Sequence, residues 1–287
     1  MLVQWQNEKH SLGIEVIDSQ HKELFILINK LNSLIEKKDY DLEHKQREAA
    51  SIIKNLYNYS SYHFLSEEEL FAQHGYPEAD SHRNKHDKFR EIIKNYLEDI
   101  RTTPNLSLEY LQDFLVEWII EHIQQDDHAY AYYFTEHGIK PEIQISDKGK
   151  QRNNILRLWE QKKLSLEILE IDEQHREIVR ILQQTNDLQY VSEKRKLIFV
   201  PIIIRKLFYY AQFHFAYEEE FLAKNQYRSI DEQIEQHKTF VADINKFYEE
   251  YQSGLSLLTD KIIFFLRDWI VEHILKEDKK YKEELLL

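Results

Sequence analysis

The residues best suited to chemistry are a histidine and a glutamate one helical turn apart, His63-Phe-Leu-Ser-Glu67, together with a second such pair, His214-Phe-Ala-Tyr-Glu218. On an α-helix positions i and i+4 share a face, so an imidazole nitrogen and a carboxylate open into one space with room for a metal ion. Around the first pair stand His21, then His82 and His86 again four apart, then His122 and Asp127 five apart. Five imidazoles and two carboxylates exceed the needs of one ion and suit two, with carboxylates bridging and histidines at the ends. A nitrogen-rich set suits iron; manganese or calcium would favour more oxygen, and zinc would be satisfied by four ligands. Two octahedral ions filled this way and joined by an oxo or hydroxo bridge keep one position open, where dioxygen or another small molecule can bind.

The whole pattern occurs twice. Ile17-Asp-Ser-Gln-His-Lys-Glu-Leu24 returns as Ile171-Asp-Glu-Gln-His-Arg-Glu-Ile178, 154 residues on, and His63, His86 and His122 return as His214, His237 and His273, 151 residues on. The second copy is therefore three residues shorter between its first two helices, a connection where a repeated fold tolerates such a change. Trp5 matches Trp159 and Trp118 matches Trp269. Residues 151–287 contain only four histidines, His175, His214, His237 and His273, and all four fall on candidate ligand positions; Glu218 and Asp278 supply the carboxylates. One position departs: Gln233 stands where the first copy has His82. A glutamine carbonyl is a weak neutral donor, so equal sites are not expected. His10, His44, His74, His128 and His137 have no partner in the repeat and are read as surface residues, with His74 placed to cap the end of its helix.

The elements that must carry these residues are helices. Five Gly and four Pro in 287 residues, with abundant Leu, Ile, Glu, Lys and Gln, argue for long helices and short turns, an all-α fold. Each copy reads as an N-terminal arm and an antiparallel four-helix bundle whose facing helices project ligands inward. The first arm covers about residues 1–17. The helices are expected near 18–37, 42–73, 80–101 and 106–134, with Asp18 as the first N-cap and breaks at Gly75-Tyr-Pro77 and Thr103-Pro104-Asn105. In the second copy they are expected near 172–188, 192–224, 230–252 and 256–285, with Gly254 at the third helix's last turn and a kink or late start caused by Pro201. The domains are 1–137 and 154–287, joined by a linker at 138–153. Phe25, Leu56, Phe64, Phe89, Phe114 and Leu115 are read as core. Trp118 and Trp269, four residues before a candidate ligand, face the same way and are read as core support.

A formal charge of −13 leaves no basic surface for nucleic acid or anionic lipid. The absence of Cys excludes disulfides and thiolate-bound metals. The first ten residues lack a basic and then apolar leader, and the longest apolar run, Leu197 to Ile204, contains Pro201 and is too short to span a bilayer. A cytoplasmic protein is expected, with a monomer of two packed bundles compatible with the pattern.

The order of a lone His, then HxxxE, HxxxH and HxxxxD, complete at His21, His63/Glu67, His82/His86 and His122/Asp127, resembles the hemerythrin family, and the resemblance covers both halves. Gly75-Tyr-Pro77 and Trp118 ahead of His122-Ile123 resemble its bacterial members. The resemblance implies a non-haem di-iron centre that reversibly binds dioxygen as hydroperoxide. It places His82, His86 and His122 on the saturated iron, His21 and His63 on the iron with the open position, and Glu67 and Asp127 between them. It also implies that Ile123 and Ile274 line an apolar pocket that protects the bound oxygen. Oxygen storage, delivery or sensing is the leading expectation. The alternatives are an enzyme reducing peroxide or nitric oxide at the same centre, and a second copy kept as a metal-poor structural or regulatory module.

Overall fold

The computed structural model describes residues 2–38, 40–100, 102–103, 106–141, 164–253 and 260–285. Trp159, Gly254, Pro104, Asn105 and most of the expected linker lie outside these residues. The chain divides into two compact units, Met1–Ile143 and Gln144–Leu287. All regular structure among the described residues is helical.

In the first unit a short α1 (Asn7–His10) in the arm precedes α2 (Glu15–Glu36), α3 (Leu42–His74), α4 (Ala79–Asp99) and α5 (Leu108–Glu121). A π-helical turn, His122–Asp127, then leads into α6 (His128–Glu136). Helix α3 packs on α2 and α4, and α2 on α5, closing the bundle. The second unit repeats the plan with α7 (Leu169–Asp187), α8 (Glu193–Lys224), α9 (Ile230–Gln252), α10 (Asp260–Glu272), a π-helical turn at His273–Asp278, and α11 (Lys279–Leu285).

Local chemistry sets the boundaries. Asp41 caps α3 by accepting from the His44 backbone N–H at 2.7 Å. At the other end Gly75, with φ of 67°, takes the left-handed conformation that lets its own N–H and that of Tyr76 reach the Phe71 carbonyl. Gly75, not His74, therefore ends the helix; the half-buried His74 ring lies edge-on to Phe134. Helix α8 starts at Glu193 and runs through Pro201, so the expected late start does not occur. The carbonyl that Pro201 cannot serve belongs to Leu197, which is exposed and can bond water.

The first N-cap differs from expectation. Helix α2 begins at Glu15 with Ile14 at the cap, and Asp18 sits inside its first turn. Asp18 instead ties down the incoming arm, accepting from Ser11 Oγ at 2.6 Å and Leu12 N–H at 2.8 Å. Asp172 does the same with Ser165 and Leu166, and also accepts from the N–H of Glu167. Glu167 takes a φ of 64° where the first copy uses Gly13 at 73°. Because charged hydrogen bonds contribute about 1.5–3 kcal/mol each, Asp18→Ala is expected to lower stability by roughly that amount or more, read as a urea midpoint shift at constant slope. An unchanged midpoint would show that the arm hangs on other contacts.

Phe25, Leu56, Phe64, Phe89 and Leu115 are buried, as expected; Phe114 is half-buried. His10 corrects the surface reading. It is 4 % exposed, edge-on to Phe25 at 5.2 Å, with Nδ1 accepting from Gln6 N–H, and its repeat partner is the fully buried Leu164. A core position that takes Leu in one copy and His in the other carries no histidine signal into the repeat. His44 and His128 are half-buried and His137 is exposed. Among the described residues no helix is long and apolar enough to cross a membrane.

Candidate metal centre

Four helices deliver the first set of side chains to one buried space. His21 comes from α2, His63 and Glu67 from α3, His82 and His86 from α4, and His122 and Asp127 from the π-helical turn. None is more than 4 % exposed. The π turn explains the spacing of the last pair. In an α-helix five residues overshoot a turn by about 140°, whereas i to i+5 hydrogen bonding brings such residues back onto one face. Helical periodicity alone predicts a plain helix through this segment, whereas the turn widens in both units at the same place.

Asp127 Oδ2 lies 3.1 Å from His21 Nε2, and its Oδ1 lies 3.3 Å from His82 Nε2 and 3.2 Å from His122 Nε2. Glu67 Oε2 lies 3.1, 3.6 and 3.8 Å from Nε2 of His86, His82 and His63. Each carboxylate thus faces both ends of the set, as a bridging ligand must. Two clusters share Glu67: one with His82, His86 and His122, the other with His21, His63 and Asp127.

Residues outside the set aim its rings. Gln20 Oε1 is 3.0 Å from His63 Nδ1, while its amide donates to Tyr62 Oη and Ser66 Oγ. Asp126, paired with Lys85, lies 3.2 Å from His122 Nδ1, and Glu68, paired with Arg90, lies 3.6 Å from His86 Nδ1. Engaging Nδ1 of His63 and His122 turns Nε2 inward and makes it the free donor atom. Phe64 stacks on His86 at 3.9 Å, and Trp118 on His122 at 4.3 Å, which bears out its expected packing role. Tyr130 donates to Glu67 Oε1 at 2.7 Å, leaving Oε2 to face the histidines. Gln20, Glu68, Asp126 and Tyr130 escaped the sequence reading. Their signal was present in the repeat, as Gln174, Glu219, Glu277 and Tyr281.

The second unit assembles the same space from His175, His214, Glu218, His237, His273 and Asp278. His175 Nε2 is 3.4 Å from Asp278 Oδ2, His273 Nε2 is 3.2 Å from Asp278 Oδ1, and His237 Nε2 is 3.2 Å from Glu218 Oε2. Tyr281 donates to Glu218 Oε1, and Gln174 meets His214 Nδ1 at 3.0 Å. Gln233 is buried at the place of His82 and donates from Nε2 to Asp278 Oδ1 at 3.4 Å.

Charge follows these contacts. Burial pushes His82 down, but its close pairing with the Asp127 and Glu67 carboxylates overcomes it and raises the imidazole to about 10. Burial pushes Glu67 up, yet the imidazoles of His63, His82 and His86 gathered around it hold it well below the usual range. A proton on His82 therefore sits between the two carboxylates when no metal is bound. Gln233 cannot supply that charge. In the second unit burial and the Glu218 charge push Asp278 up to about 6, while His237 is raised to about 9 by Glu218 and Glu219 in spite of burial.

Burial also lowers His63 to about 3 and His214 to about 4, against an ordinary value of 6.5. The unfolded chain protonates these imidazoles below 6.5 while the folded chain does not, so the unfolded state holds more protons in that window. His82 and His237 are already protonated in both states there and contribute no slope, and Asp278, protonated only in the folded chain between about 6 and 3.8, offsets one of these imidazoles without reversing the sum. The metal-free protein is thus expected to lose stability steadily as pH falls from about 6.5 towards 3, measured by urea unfolding at successive pH values; a flat profile would contradict the burial of these rings as neutral groups.

Buried polar atoms normally find a hydrogen bond. Here His21 Nε2, His63 Nε2, Glu67 Oε2, His82 Nε2 and both Asp127 oxygens have none, and neither do His175 Nε2, Glu218 Oε2 and Asp278 Oδ2. Unpartnered atoms converging from four helices fit metal ions as their missing partners. Fold and site together define a four-helix-bundle metalloprotein with paired histidine and carboxylate clusters.

The family described as hemerythrin HHE cation binding domain matches residues 12–133 and 167–285, so the chain belongs to that family, twice over. It is similar to the bacteriohemerythrin of Clostridium acetobutylicum, 32 % identical over 127 residues that cover 44 % of this chain and 96 % of that protein. It is also similar to the bacteriohemerythrin of Stenotrophomonas maltophilia, 30 % identical over 130 residues, or 45 % and 80 % of the two chains. Among solved structures, wild-type hemerythrin aligns with 46 % of this chain and 97 % of its own at 23 % identity and a TM-score of 0.42. Membership implies a di-iron protein, and the histidine and carboxylate clusters fit that metal site.

Proposed function

We propose that the chain reversibly binds dioxygen at a non-haem di-iron centre in its first unit, in storage, delivery or sensing. The observation that carries this reading is the buried set of five imidazoles and two carboxylates, each with a donor atom turned inward. His82, His86 and His122 would hold one ion and His21 and His63 the other, with Glu67 and Asp127 spanning both. Held there, an iron pair would supply the reversible redox chemistry that binding and release of a small ligand require.

The chain's own residues do the rest. Tyr130 holds Glu67 through Oε1, and Gln20 fixes the tautomer of His63 so that its Nε2 is left as the free donor atom. Ile123, fully buried beside His122, and its counterpart Ile274 would wall the ligand space and exclude the water and protons that drive irreversible oxidation. No histidine or carboxylate of the set is left over to serve as a general base, which favours binding over catalysis. The test is optical: reduced iron-loaded protein exposed to air should gain charge-transfer bands and lose them under vacuum. Bands that never reverse, or steady consumption of peroxide or nitric oxide with a reductant, would replace this reading with the enzymatic one.

A further inference from the structure

The two units differ at one point inside the site, and the difference is asymmetric about the carboxylates. In the first unit His82 Nε2 faces both, at 3.6 Å from Glu67 Oε2 and 3.3 Å from Asp127 Oδ1. In the second, Gln233 reaches one: its Nε2 donates to Asp278 Oδ1, and Glu218 Oε2 is left to His237 and His214. Gln233 Oε1 is buried and has no hydrogen-bond partner, on a residue 2 % exposed. A buried carbonyl oxygen without a partner is costly and calls for one inside the same space. His237 and His273, with Nε2 atoms 3.1 Å apart, remain as the only imidazoles at that end among the described residues.

We propose that the second centre accepts a small exogenous ligand at its His237 and His273 end, in the place His82 fills in the first, with Gln233 as hydrogen-bond partner of that ligand and not as a metal ligand. An amide is a weak neutral donor beside imidazoles and carboxylates, and its N–H is already committed to Asp278. A primary amide carries two N–H donors and an acceptor oxygen, so with one N–H on Asp278 it pairs with a protic ligand such as water through Oε1 and with a small monoanion through its second N–H. The second centre then has two positions for exogenous ligands where the first has one.

This inference rests on the second unit holding an iron pair, and the experiment separates the two. The full chain is loaded with ferric iron, its iron content measured, and azide titrated by calorimetry and absorbance. About four irons and about three azide ions per chain are expected, falling to about two azide ions in Gln233→His, whose imidazole closes the position. Gln233→Leu should keep the third azide and bind it roughly 3–10-fold more weakly, the loss of one hydrogen bond. With four irons bound, only two azides on the wild-type chain, or a third that survives Gln233→His, would overturn the proposal and leave the iron pair standing. Three or fewer irons per chain would overturn both for the second unit.

Discussion

Challenged with a chelator, the iron-loaded chain is expected to release metal in two phases, the faster from the second unit. The first unit offers three imidazoles at the His82, His86 and His122 end, whereas the second offers two, His237 and His273, with the Gln233 amide turned to Asp278 in the third place. Changes at or beside metal ligands commonly cost about 10–100-fold in affinity, so the fast phase should be separated from the slow one by a factor in that range. Electrostatics points the same way. The rise of Asp278 to about 6, from burial and the nearby Glu218 charge, shows a carboxylate pair that is less well neutralised before metal arrives. Below that value protons compete with iron for Asp278, so the gap between the phases should widen as pH falls. Gln233→His should merge the phases. Single-phase release from the wild-type chain, unchanged by Gln233→His, would make the glutamine an equivalent substitute.

Glu67→Gln should empty the first centre while leaving the second loaded. The substitution keeps size and the acceptor for Tyr130, but removes the charge that spans His63, His82 and His86. In the metal-free protein it also strips protonated His82 of one of its two carboxylates, and breaking a buried pair from one side costs about 3–5 kcal/mol. Tyr130→Phe is the matched control. It removes only the hydrogen bond to Glu67 Oε1, about 1.5–3 kcal/mol, and should retain iron while loosening the carboxylate's position. Iron content by mass spectrometry and urea unfolding of the metal-free chains separate the two effects. A Glu67→Gln chain that binds as much iron as wild type would remove Glu67 from the ligand set.

The sequence by itself determined most of the candidate set that the fold gathers, because two copies expose which residues are kept in step. His175, His214, His237 and His273 needed no structure to be singled out, and the i, i+4 pairs stated their shared faces through helical geometry alone. Helix existence was legible for the same reason: long amphipathic segments broken at Gly75 leave little choice of element.

What periodicity could not reach is where the helix departs from its own period. His122 and Asp127 converge only because the turn between them widens, and hydrogen bonding to i+5 is a local choice paid back by ligand geometry across the bundle, which no spacing rule encodes. Asp18 had the composition of an N-cap, but its partners lie in the arm six and seven residues earlier, so its role depends on how the arm folds back. His10 reads as polar and unpaired until Trp5 and Phe25 close over it. Side chains such as Tyr130 and Gln20 act on ligands 63 and 43 residues away, and only packing brings those distances to hydrogen-bond length. The choice of ligating residue types is written along the chain; which atom of each turns inward, and with what charge, is decided by neighbours that arrive from other helices.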